Sequence, residues 1–295
     1  EKKINPKNDI PYYLENNIVF LQLFIGEDPA DLKKFESSKL INLKRLEKGD
    51  ITSPYYKYCL ADYYLQWAFI HVKSGDYKTA ALEITKSYRL LESNIKQFPK
   101  FIPNKKGMGL LHALIGSIPE SFKWAVSITG MKGSVNTGID EMISVFNAAC
   151  TIKDYDYLKA ETLFMLSFLQ LNLQTGENRM SILNKSFDRI KTEKIISSPL
   201  IIYCRSIVAL KTYNAQLAEK ILIQYKTLPA QYPFYYLYYL TGLSKLYRLD
   251  AAASGYFNTY LNNYKGLSYK NAARQKLAWS YLIQGNSTKY KEQIK

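Results

Sequence analysis

The sequence predicts an all-α chain, built as a right-handed solenoid of degenerate helical hairpins. Three observations carry this. Apolar residues recur at i, i+3, i+4 and i+7 almost throughout, and no stretch alternates with period two for long enough to make a sheet. Near the C-terminus the pattern echoes itself every 36 residues: Ser206, Gly242 and Ala278 share one phase, Leu210, Leu246 and Leu282 another, and Leu217/Ile221 returns as Ala253/Phe257. Residues 54–92 read as one complete hairpin around Gly75-Asp76-Tyr77. A fixed step in the thirties is what stacked helix–turn–helix units produce, because one hairpin cannot bury its apolar face alone.

Taken in order, an opening helix is expected from about Ile10 to Ile25, capped by Asn8 or Asp9 with Pro11 in its first turn. A second runs from Asp28-Pro29 to Lys48-Gly49, where a basic residue and a glycine suit a C-terminus. The hairpin at 54–92 follows. Gln97–Gly107, with Pro99, Pro103 and Gly107, is the expected linker. Ser117-Ile118-Pro119-Glu120 reads as a capping box opening a helix that ends near Gly130. Gly130, Gly133 and Gly138 then crowd one segment, before a helix to about Ala149. Hairpins are expected at 155–193, 199–226 and 233–263, then a helix over 268–284 and a short closing helix after Gly285-Asn286. The organisation expected is 1–97, N-terminal hairpins; 98–150, linker and glycine-rich insert; and 151–295, degenerate repeats.

Composition narrows the function classes. An apolar content of 47% argues against disorder, and no run approaches 18 uninterrupted apolar residues, so no membrane span is expected. A cytoplasmic chain and an exported one with a removed leader fit equally well. Cys59, Cys150 and Cys204 lie far apart in apolar helical settings and are expected as free thiols. The net charge of +15 is uneven: residues 211–295 hold 12 Lys/Arg against 3 Asp/Glu. Such an end could meet an acidic partner, an anionic membrane surface or nucleic acid, or could simply solvate a convex face. The 26 tyrosines supply bulk at helix contacts while keeping a hydroxyl for water.

The hairpin at 54–92 resembles the tetratricopeptide pattern, with Tyr64, Trp67, Ala68 and His71 on its first helix, then Tyr77 after the turn glycine and Ala80. Glu92 stands where that family has proline. From Gly107 to Met142 the chain carries a glycine-led apolar helix, Ile118-Pro119, an amphipathic helix and Gly130-Met131-Lys132-Gly133 before Gly138. This stretch is similar to one in eukaryotic tetratricopeptide-39-type proteins and fungal inclusion-body clearance proteins, with Met131 in place of their usual aromatic. The resemblance covers the layout of most of the chain and implies a non-catalytic adaptor. It also implies groove positions. For the last three repeats the inner face would hold Leu200, Tyr203, Ile207, Leu210 and Lys211; then Tyr236, Tyr239, Leu243, Leu246 and Tyr247; then Ala272, Gln275, Trp279, Leu282 and Ile283. Of these, Tyr203, Ile207, Tyr236, Tyr239, Leu243, Tyr247 and Trp279 are the candidate partner-binding residues, and Gly130, Gly133, Gly138 and Gly242 the structural glycines. Only Lys211 suits a carboxylate clamp. An apolar, tyrosine-rich groove suits an amphipathic helix or apolar peptide, and equally suits being filled by the chain's own helices.

Enzyme chemistry has little support. His71 and His112 sit at packing positions, and no CxxC, HxxxH or HExxH spacing occurs. The glycine cluster lacks the preceding strand and the Gly-Lys-Ser/Thr ending of a phosphate loop. The expectation is therefore a protein- or peptide-binding scaffold without catalytic residues, metal or cofactor. Nucleic-acid or anionic-surface binding through the basic end is the alternative, which a salt titration would separate.

Overall fold

The computed structural model describes residues 4–5, 8–174, 179–190, 198–225 and 232–294, with 15 α-helices and no strand among them. They are α1 (Ile10–Gly26), α2 (Pro29–Leu46), α3 (Pro54–Ser74), α4 (Tyr77–Gln97), α5 (Asn104–Gly116), α6 (Lys123–Thr129), α7 (Val135–Thr151), α8 (Lys159–Asn172) and α9 (Arg179–Asp188), followed by α10 (Pro199–Lys211), α11 (Ala215–Leu222), α12 (Tyr236–Leu246), α13 (Ala253–Asn263), α14 (Lys270–Ile283) and α15 (Ser287–Gln293). The ends of the hairpins expected at 155–193 and 199–226 lie outside the described residues, as does the stretch 175–178. The chain divides into two compact units: Glu1–Phe24 with Ala30–Arg179, and Ile25–Pro29 with Met180–Lys295. The divisions expected after residues 97 and 150 both fall inside the first unit.

In the first unit α3 packs along α4, α5 along α7, and α7 along α8. The α3/α4 hairpin shows why sequence fixes its ends. Ser53 caps α3 by accepting from the Tyr55 amide, and Pro54 stands in the first turn, where its missing N–H costs nothing. Gly75 stops the helix at φ +84°, which an L side chain rarely adopts, and Asp76 caps α4 through the Thr79 amide. Trp67, Tyr63 and Leu91 are among the largest buried side chains here.

Two local expectations are corrected. The proposed linker is a tight corner: α5 begins inside it, and Asn104 and Lys106 are fully buried. The proposed capping box does not form. Ser117 instead ends α5, its hydroxyl donating to the Leu114 carbonyl, and a 3-10 turn at Glu120–Phe122 leads into α6. The glycines allow α5 and α7 to cross at backbone distance. A Cβ on Gly138 would lie 2.3 Å from the Gly109 carbonyl oxygen, and one on Gly133 would lie 2.4 Å from that of His112. Gly130 ends α6 at φ +68°.

In the second unit, neighbours pack serially: α10 on α11, α12 on α13, α13 on α14, α14 on α15, with α10 also meeting α12 and α12 meeting α14. The small residues of the 36-residue phase, Ser206, Gly242 and Ala278, are all buried. The turns recur at that step as well. Tyr213 (φ +58°), Leu249 (φ +58°) and Gly285 (φ +72°) are left-handed. After each comes Asn214, Asp250 or Asn286, whose amide donates to the carbonyl of Ala209, Lys245 or Tyr281, five residues back. Such a backward bond and left-handed residue are how helices close their C-termini.

Candidate functional site

The second unit brings most of the candidate aromatic residues together. Tyr203 lies 5.6 Å from both Phe234 and Tyr236, ring centre to ring centre. Tyr236 stacks on Tyr239 at 5.2 Å, and Tyr239 lies 5.6 Å from Tyr260, which stacks on Tyr264 at 4.9 Å. Tyr239 and Leu243 are buried, while Tyr203, Ile207 and Tyr236 are half-buried and pack against the same core, as does Ile25. Burial, reinforced by neighbouring phenols, holds the Tyr203 and Tyr236 hydroxyls well above their ordinary pKa and pushes Tyr239 up to about 12. These phenols stay neutral at any physiological pH.

Tyr269 covers this cluster, and sequence reasoning missed it. Its ring lies 4.6 Å from Tyr236 and 5.7 Å from Tyr239. It stands in the loop before α14, at φ +57°, outside any helical period that could have flagged it. The loop is pinned: the Ser268 hydroxyl donates to the Glu27 carboxylate at 2.7 Å, and Tyr260 donates to the Ser268 carbonyl at 2.5 Å. Tyr236 and Tyr239 are therefore covered by the unit's own residues.

Tyr247 and Trp279 are placed differently. They are 56% and 42% exposed, and Leu282 and Ile283 are 54% and 43% exposed. Trp279, Leu282 and Ile283 stand at i, i+3 and i+4 on α14, so they share one open face. The Lys276 ammonium sits 3.6 Å above the Trp279 ring, where partial burial lowers its pKa. Elsewhere in the unit, acids are internally neutralised. Lys245 holds Glu219 and Asp250 at 2.8 Å each, and Arg248 also binds Glu219. Two of the three acidic residues in 211–295 are thereby engaged, which leaves the region's outward charge positive.

The histidines have structural partners. His71 meets Glu83 at 2.7 Å, with Lys39 on the other carboxylate oxygen, and His112 meets Glu141 at 2.7 Å. Among the described residues no group of three His, Cys, Asp or Glu could hold a metal ion, and no helix is long and apolar enough to cross a membrane. None of the three cysteines is in a disulfide. Set against known proteins, the chain matches no protein-family model, no curated protein and no solved structure.

Proposed function

We propose that the chain is a non-catalytic scaffold, a right-handed stack of degenerate tetratricopeptide-like hairpins, that holds an apolar or amphipathic segment of a protein partner. The observation that carries the reading is the open Trp279/Leu282/Ile283 face of α14, which lies within a positively charged region. Aromatic anchors of this kind concentrate binding energy in interfaces, and a helix with an apolar stripe is a natural occupant. The basic surroundings select a segment flanked by acidic residues. The 36-residue recurrence of the left-handed turns at 213, 249 and 285 supports a repeat array, and the resemblance to tetratricopeptide-39-type proteins supports an adaptor role.

The net positive charge of 211–295 favours one other reading, a nucleic-acid or anionic-surface binder. Base stacking needs exposed rings; Tyr236 and Tyr239 are engaged by Tyr269, so such a binder would have to stack bases on Tyr247 and Trp279. A display library of amphipathic helices separates the readings. Selection on the wild-type chain should enrich apolar residues at i, i+3 and i+4 with acidic flanks, and Trp279→Ala with Ile283→Ser should abolish the enrichment. No enrichment, or enrichment that survives both substitutions, would overturn the proposal.

A further inference from the structure

The first unit contains a pocket of about 590 Å³ that neither the hairpin pattern nor the proposed scaffold role requires. Five tyrosines line it: Tyr13 from α1, Tyr55, Tyr56 and Tyr58 from the first turns of α3, and Tyr157 from the 3-10 turn before α8. Two carboxylates, Asp9 and Asp50, join them. The rings brace one another, Tyr55 lying edge-on to Tyr58 at 6.2 Å and Tyr157 donating to the Tyr55 hydroxyl at 3.5 Å. The Tyr58 hydroxyl is buried in this wall, and the Lys106 ammonium lies 5.3 Å from the centre of its ring on the side away from the opening.

Charge decides the ligand class. Behind the Tyr13 and Tyr58 wall the buried Lys106 meets the buried Asp62 at 3.2 Å and the half-exposed Glu161 at 2.9 Å, one cation against two carboxyls. The Tyr13 hydroxyl donates to Asp62 at 2.6 Å. At the pocket itself, Asp9 is paired with Arg45 at 2.8 Å, whereas Asp50 accepts from the Thr52 amide and hydroxyl, which hold its carboxyl below its ordinary pKa and keep it ionised. The local balance is negative in a chain whose net charge is +15. Tyrosine faces are negative too, and rings combined with carboxylates recognise alkylated ammonium groups. The volume leaves room for an apolar body beyond the cationic head.

We infer that this pocket binds an organic cation, an alkylammonium with an apolar tail, its head held by the tyrosine faces and the Asp50 charge. Hexyltrimethylammonium is the probe, with 1-hexanol and hexanoate as neutral and anionic controls, titrated calorimetrically into the full chain. The cation should bind at least tenfold tighter than either control. Tyr55→Leu, at the rim, should weaken it about tenfold. Asp50→Asn, which keeps the acceptor for Thr52, should weaken it severalfold and flatten its salt dependence. Circular dichroism should show both variants folded. Equal binding of hexanol would overturn the proposal in favour of a merely greasy pocket. Cation binding unaffected by both substitutions would overturn the location.

Discussion

Tyr269 lays its ring 4.6 Å from that of Tyr236 from a backbone held at φ +57°. A non-glycine residue in the left-handed region costs roughly 1 kcal/mol or more, and an aromatic pair returns about 0.5–1.5 kcal/mol beyond its area. The ring contact therefore offsets the backbone strain. Tyr269→Ala, which keeps the strain and loses the ring, should be less stable than Tyr269→Gly, which loses both. Thermal melts of the two variants check the order. Spectrophotometric titration gives a second readout, because Tyr269 helps hold the Tyr236 phenol up and either variant should let it ionise at lower pH.

Leu249 and Tyr213 occupy the left-handed turn position that Gly285 fills 36 and 72 residues later, respectively. Both are exposed, so little packing is lost on truncation. Leu249→Gly and Tyr213→Gly should each stabilise the protein by up to about 1 kcal/mol, despite glycine's greater unfolded freedom. A lower midpoint in urea for both would contradict the repeated turn.

A Cβ on Gly242 would lie 2.7 Å from Cε1 of Phe257, a ring with no exposed surface. Gly242→Ala should cost about 1–3 kcal/mol by overpacking. Phe257→Leu should be less harmful in the Gly242→Ala background than alone, a coupling that a double-mutant cycle reads directly.

How much of this was legible beforehand follows from which interactions are periodic. Helix positions, the 54–92 hairpin and the small residues Ser206, Gly242 and Ala278 recur at fixed steps, so the chain exposes them to inspection. The Ser117 misreading arose because the same Ser-x-Pro-Glu pattern can end one helix or begin another, and the Leu114 carbonyl decided it. Lys106 looked like a linker residue. Its burial depends on Asp62 and Glu161, 44 and 55 residues away in sequence, which no local pattern reveals. The covering of Tyr236 by Tyr269 is also a loop effect.

Lys106→Met should be among the most damaging single changes in the first unit. It leaves Asp62 buried without its cation, and breaking such a pair typically costs about 3–5 kcal/mol. Glu161 is already raised above the usual carboxyl range by burial, with Lys106 opposing that rise. Without Lys106 the Glu161 carboxyl should rise further, so the folded state would bind its proton more tightly than the unfolded chain. Stability of the variant should then be greatest at acid pH and fall as pH rises through that raised value. Urea unfolding at pH 5 and pH 7.5 checks the sign: the deficit relative to wild type should be larger at pH 7.5.

The scaffold reading is tested most directly at Trp279. Fluorescence anisotropy would follow two labelled probes, an acid-flanked amphipathic helical peptide and a single-stranded oligonucleotide, each at about 50 mM and 200 mM salt. The peptide should bind with only modest loss at higher salt, and Trp279→Ala should weaken it by 2 kcal/mol or so. An oligonucleotide that binds tighter than the peptide, loses orders of magnitude over that salt range and ignores Trp279→Ala would contradict the account.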